Sequence, residues 1–123
     1  MNGNDLFVDT NIVLYFLKGD PEVVEMIADK NLTISFVTEL ELLSFPGIDN
    51  ESETAIRTLL ENCRITSINK EIKDVTIAFR KNSRLKLPDS IIAASAFCHK
   101  LPLVTADRQF LAVDEVEVIF YEL

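Results

Sequence analysis

Short apolar runs that stop abruptly, each separated from the next by stretches of helical character, constrain this chain more than any other feature. Strand-like runs stand at Asp5 to Val8, Leu32 to Phe36, Ile65 to Ile68, Leu103 to Thr105 and Val116 to Phe120. Helices are predicted at Asn11 to Leu17, Pro21 to Asp29, Thr38 to Ser44, Ser52 to Asn62, Lys70 to about Arg84, and Asp89 to His99. Asp20 reads as the cap of the second helix, with Pro21 in its first turn, and Asn69 as the cap of the fifth. Ile72, Val75, Ile77 and Phe79 supply much of the fifth helix's apolar surface. Pro46-Gly47 punctuates the third helix, and Lys100-Leu101-Pro102 ends the sixth. Strands alternating with helices argue for an α/β fold with a mainly parallel, helix-covered sheet. A chain of 123 residues, 48% of them hydrophobic, can bury a sizeable core as one domain over residues 1–123.

Several chemistries are excluded at once. The polar start Met1-Asn2-Gly3-Asn4-Asp5 lacks the basic flank and apolar stretch of a secretion signal. No apolar run approaches the roughly 18 residues of a membrane span, so a soluble, cytoplasmic protein without membrane contact is expected. Cys63 and Cys98 lie in apolar contexts without C-x-x-C spacing and read as buried, reduced thiols. The lone histidine, His99, sits at a helix end and reads as a surface or capping residue, which argues against zinc hydrolase chemistry. Three glycines make no phosphate-cradling loop, and no serine, histidine and acid stand in a nucleophile-elbow context.

What remains is a set of acids at one kind of edge. Asp9 closes the run Leu6-Phe7-Val8 and is followed by Thr10-Asn11; Asp107 closes Leu103-Val104-Thr105-Ala106. Thr38-Glu39-Leu40-Glu41 has capping-box spacing after Thr33 to Val37, which predicts Glu41 in a helix's first turn. Asp89, after Leu87-Pro88, opens the apolar stretch from Ile91 to Cys98. Ligands of open parallel sheets bind beyond the carboxyl ends of strands, where Asp9 and Asp107 fall and where Glu41 and Asp89 can join them. Two carboxylates about 4 Å apart repel by roughly 4 kcal/mol at an effective dielectric near 20, so a gathered set either raises its pKa values or holds a cation. Oxygen ligands favour Mg²⁺ or Mn²⁺, and such a metal activates water against a phosphodiester. Asp9 is the expected central ligand, with Thr10, Asn11 and Thr105 orienting the acids and bound waters. Taken singly each residue has an ordinary reading: turn former for Asp9 and Asp107, half a capping box for Glu41, a dipole-favoured helix acid for Asp89, caps for the polar three, and core packing for Phe110.

The net charge of −8 runs against a polyanionic substrate, but its distribution is uneven. From Arg64 to Lys86, seven cations face only Glu71 and Asp74, giving that segment +5 while the remainder carries −13. Arg80, Lys81, Arg84 and Lys86 are therefore candidates for steering a phosphate backbone, unless they are simply a solvated helix face.

These residues resemble the PIN-domain ribonucleases, in particular the toxins of VapBC-type toxin–antitoxin pairs. The resemblance runs from Leu6 to about Phe120 and is carried by Val8-Asp9-Thr10-Asn11, Thr38-Glu39-Leu40-Glu41-Leu42-Leu43, Leu87-Pro88-Asp89-Ser90-Ile91-Ile92-Ala93-Ala94-Ser95-Ala96 and Thr105-Ala106-Asp107-Arg108-Gln109-Phe110. It implies a three-layer α/β/α sandwich and a Mg²⁺- or Mn²⁺-dependent endoribonuclease acting on RNA. It also implies a homodimer and a cognate antitoxin that inserts a segment near the pocket. Asp9, Glu41, Asp89 and Asp107 would form the acidic quartet, supported by Thr10 and Thr105. Two departures stand out: Ser44-Phe45-Pro46 where many relatives carry a glycine, and Gln109 where many carry a further acid. A degenerate PIN-like module that binds RNA or protein without turnover is the alternative. A phospho-accepting receiver domain fits less well, lacking paired acids after the first strand and a lysine after the last.

Overall fold

Buried side chains point to both sides of the central strands, and this two-sidedness decides the architecture. The computed structural model describes residues 4–122. In chain order its elements are β1 (Asp5–Val8), α1 (Thr10–Leu17), α2 (Pro21–Ile27), β2 (Asn31–Ser35), α3 (Phe36–Leu43), α4 (Asn50–Glu61), β3 (Arg64–Thr66), α5 (Lys70–Asn82), α6 (Leu87–Cys98), β4 (Leu103–Thr105), a 3₁₀ turn (Arg108–Ala112) and β5 (Val118–Phe120). Among the described residues the strands form one sheet in the order β3-β2-β1-β4-β5, every pairing parallel. Parallel neighbours require crossovers, which explains why two helices separate each of the first three strands from the next, with the 3₁₀ turn between β4 and β5.

Side-chain alternation then sorts the core. Phe7 and Leu103 join Ile72, Phe79 and Ile92 on one face of the sheet, whereas Leu6, Val8 and Val104 join Ile12, Val23 and Ile56 on the other. The result is the expected three-layer α/β/α sandwich. On the first face α6 presents Ala93, Ala94 and Ala96, all fully buried, so its backbone lies close against the sheet and α5. Phe79 of α5 and Phe97 of α6 meet edge to face with ring centres 5.8 Å apart. On the second face Asp20 caps α2 and its carboxylate accepts the Tyr121 hydroxyl at 3.2 Å, tying the end of the chain to the α1–α2 turn.

Several boundaries shift for identifiable reasons. Phe36 opens α3 instead of ending β2, because Ser35 caps the helix by accepting the Val37 N–H at 3.0 Å. The Thr38–Glu41 spacing is therefore not a capping box, and Glu41 sits in the second turn of α3. β3 ends at Thr66, leaving Ile68 exposed, and β5 starts at Val118. α4 begins at Asn50 under an Asp49 cap, and α5 stops at Asn82, where Ser83 turns extended. α6 starts two residues early, at Leu87, with Pro88 in its first turn, and ends at Cys98 with His99 as an exposed capping residue. Both cysteines are free but only half-buried. Ile77, expected in the core, is 55% exposed; Thr76 takes the buried position and closes its hydroxyl onto the Ile72 carbonyl at 2.7 Å.

The tight α6 seam and the outward Ile77 give opposite expectations. Ala94→Leu should cost about 1–3 kcal/mol by overpacking. Ile77→Ser should stay within about 0.5 kcal/mol of the parent in a urea titration.

Candidate active site

Between β1 and β4 the chain changes direction across the sheet, since β1 leads outward to β2 and β4 outward to β5. A crevice opens at such a reversal, at the carboxyl ends of the strands. Asp9 lies there, immediately after β1, and is only 4% exposed. As the cap of α1 its Oδ1 accepts the Ile12 N–H at 3.0 Å, and its Oδ2 accepts the Thr105 hydroxyl from the end of β4. Asp107 follows β4; its N–H donates to Thr105 Oγ1 at 3.0 Å and its Oδ1 accepts the Gln109 N–H at 2.9 Å. Buried Phe110 anchors the turn that carries Asp107, and Arg108 lies 5.0 Å over the Phe120 ring while pairing with Glu122 at 2.9 Å.

The other two acids arrive from helices. Asp89 is half-buried in the first turn of α6, where the helix dipole favours an acid, and the cap residue Lys86 gives no side-chain hydrogen bond. Glu41 is exposed on α3 and its Oε1 accepts the Thr10 hydroxyl at 2.6 Å. All four carboxylates line one cleft of about 540 Å³, together with Thr10 and Asn11. Thr105 is buried beneath its floor.

The acids feel one another. Burial pushes the Asp9 carboxyl up to about 6, helped by the charges of Asp89 and Asp107 and opposed by the bonds from Thr105 and Ile12. Asp89 is also raised, first by burial and then by Asp107 and Glu41, with Lys86 acting the other way. Among the described residues no three carboxylate, imidazole or thiol groups stand as a closed ligand cage. The donors are nevertheless all oxygen, negatively charged and mutually repulsive. That set suits a hard divalent ion held by one or two carboxylates with water filling the rest of its shell.

Not every sequence candidate reaches this place. Arg80 and Lys81 are exposed in the last turn of α5, and Arg84 and Lys86 in the connection to α6; none lines the cleft. Of these cations, Lys86 is the one whose charge bears on a site acid. Other residues were not foreseen. Thr38, taken as a cap, is fully buried with its hydroxyl 3.0 Å from that of Thr10. Lys18 and an apolar wall of Leu14, Leu17, Phe45, Ile48 and Ile56 extend the cleft away from the acids. Their spacing held the signal: Asn11, Leu14, Leu17 and Lys18 recur at helical intervals along one face of α1.

The sequence profile described as PIN domain matches residues 6–116. The chain belongs to the PIN-domain family. Comparison with curated protein sequences returns no match. Among solved structures this PIN domain is similar to a chain of a toxin–antitoxin complex from Klebsiella pneumoniae, with a TM-score of 0.83 and 29% identity over 96% of this chain and 99% of that one. VapBC-1 from nontypeable Haemophilus influenzae gives 0.81 and 23% over 94% and 97%. VapBC2 from Rickettsia felis, bound to a DNA fragment from their promoter, gives 0.81 and 17% over 96% and 99%. PIN domains of such toxins are in general nucleases, and PIN nucleases in general depend on a divalent metal. Among the described residues of this PIN domain no helix is long and apolar enough to cross a membrane.

Burial of Asp9 carries a stability cost with a definite sign. The unfolded carboxyl titrates near 3.8 and the folded one near 6, so stability is greatest below that window and falls as pH rises through it. At neutral pH the loss is about 2 to 3 kcal/mol. Asparagine caps helices as well as aspartate and carries no charge. Asp9→Asn should therefore unfold at higher urea than the parent at pH 7.5 in chelator, and the gap should close near pH 4; an unstabilised variant at pH 7.5 would contradict this account.

Proposed function

We propose that this PIN domain is a Mg²⁺- or Mn²⁺-dependent endoribonuclease and the toxin of a type II toxin–antitoxin pair. The observation that carries the reading is the convergence of Asp9, Glu41, Asp89 and Asp107 from four separate elements onto one cleft at the strand reversal. These four carboxylates would hold the ion, Asp9 centrally. When bound, a divalent ion lowers the pKa of water, polarises a phosphoryl oxygen and neutralises charge on the leaving oxygen. Hydrolysis adds the oxygen of water to phosphorus and breaks the phosphorus bond to one ribose oxygen.

The protein's own groups set the geometry. Thr105 and the Ile12 N–H hold both oxygens of Asp9, so its carboxylate has one orientation. Asp107 is fixed by its own turn and Asp89 by the start of α6. Without a cation this cluster repels phosphate, so metal and RNA bind in that order. Lys86, whose charge bears on Asp89, would meet the backbone as it leaves the acids, and exposed Arg80, Lys81 and Arg84 would steer it only at longer range.

The toxin and RNA parts of the reading rest on kinship with the toxin–antitoxin structures. The cleft supports them in one respect: its wall from Leu14 to Phe45 offers an apolar seat next to the acids, which suits a cognate antitoxin segment that closes the site. A homodimer located in the cytoplasm completes the proposal.

Purified protein should cut single-stranded RNA with Mg²⁺ or Mn²⁺ and stop in chelator. Asp9→Asn should lose more than about 100-fold, beyond the usual cost of an outer partner. Lys86→Glu should lower kcat/KM several-fold and flatten its salt dependence. Cutting that survives chelator would overturn the mechanism; binding without cutting across many RNAs and metals would favour a degenerate module.

A further inference from the structure

Hydroxyls inside the helices of this protein share a habit. Thr54, Thr58 and Thr76 each donate to the carbonyl four residues back, at 2.8, 2.9 and 2.7 Å, and Ser95 does so at 2.7 Å. That local bond is open to any serine or threonine in a helix. Thr38 departs from it. Its side chain is fully buried on α3, yet its Oγ1 lies 3.0 Å from Oγ1 of Thr10 on α1. The carbonyl four residues back, that of Ile34, accepts the Thr66 hydroxyl at 3.3 Å instead.

The direction of these bonds follows from proton supply. A hydroxyl has one proton, and a carboxylate only accepts. Thr10 donates to Glu41 Oε1 at 2.6 Å, so its proton is spent there and Thr38 must be the donor to Thr10. The relay runs from Thr38 to Thr10 to Glu41. Its first member is buried and its last is exposed. Thr38 and Glu41 stand three residues apart on α3, so both face α1 and Thr10 can bridge them.

We infer that Thr38 is a positioning residue of the acidic cleft, fixing the Glu41 carboxylate through Thr10. An exposed glutamate otherwise spreads over many rotamers and loses that freedom when a ligand fixes it. The relay removes the freedom beforehand and transmits the rigidity of a buried helix face to a solvent-facing acid. The geometric claim stands alone; its consequence for metal binding rests on the proposed nuclease reading.

Two measurements test it on the full chain. In metal-free protein the side-chain carboxyl ¹³C resonance of Glu41 should move in Thr38→Val and in Thr10→Val, and return toward the parent in Thr38→Ser. Thr38→Ala reports the same if the valine variant fails to fold. Titration with Mn²⁺ should show affinity reduced about 10-fold in Thr38→Val, the low end of what supporting partners contribute. Thr38→Ser should bind as the parent does. The Thr10→Val, Thr38→Val double variant should bind no more weakly than Thr10→Val alone, because Thr38 acts only through Thr10. An unmoved Glu41 resonance, or losses in Mn²⁺ affinity that multiply in the double variant, would overturn the inference. A parent protein that takes up no Mn²⁺ would sink the nuclease reading instead, while the Glu41 resonance would still decide the relay.

Discussion

The bond from the Thr105 hydroxyl to Asp9 joins the two central strands where both of them end, and the site is arranged around it. On one side Asp9 starts α1; on the other Thr105 receives the Asp107 N–H and so sets the turn that follows β4. Two residues almost the whole chain apart are thus locked at the strand reversal. Burial there makes the ionised Asp9 costly. The polar contacts around it lower that cost without abolishing it, and the remaining electrostatic strain is what a bound cation would relieve. In this sense the cleft is unfavourable to folding and favourable to an ion for the same reason.

Much of this was legible in the residues. Runs such as Leu6-Phe7-Val8 and Leu103-Val104-Thr105 are short and apolar because both faces of a parallel strand are covered, and an acid after each marks the exit into a helix or turn. Strand identity and the gathering of the acids followed from that pattern. Helix starts were less legible because caps compete. Ser35 and Thr38 both precede helix-forming residues, and only the local geometry shows that Ser35 accepts the Val37 N–H. Ile77 misled for a related reason. Periodicity allots a buried stripe to α5, but a threonine that satisfies its hydroxyl on its own helix can occupy that stripe and turn an isoleucine outward.

The basic segment shows where one-dimensional charge fails. A run of cations between Arg64 and Lys86 looks like a single patch, yet the helix distributes it, and Lys86 alone among the four steering candidates bears on a site acid. Conversely the apolar wall beside the acids is drawn from α1, the α3–α4 connection and α4, pieces too far apart in sequence to announce themselves. Contacts of this kind arise from tertiary placement, as does the crossing of Thr38 to α1. Local sequence states which side chains are available, and the packing of layers states which of them meet.

The strand order also has a bearing on synthesis. β4 is among the last elements made, yet it belongs beside the first strand at the middle of the sheet. A growing chain on the ribosome therefore holds Asp9 and Glu41 long before Thr105 and Asp107 have emerged. Until they do, the crevice has one wall and no floor. The four acids therefore cannot share one ion while the chain is nascent, and on the proposed nuclease reading the site becomes competent only after Asp107 has left the ribosome.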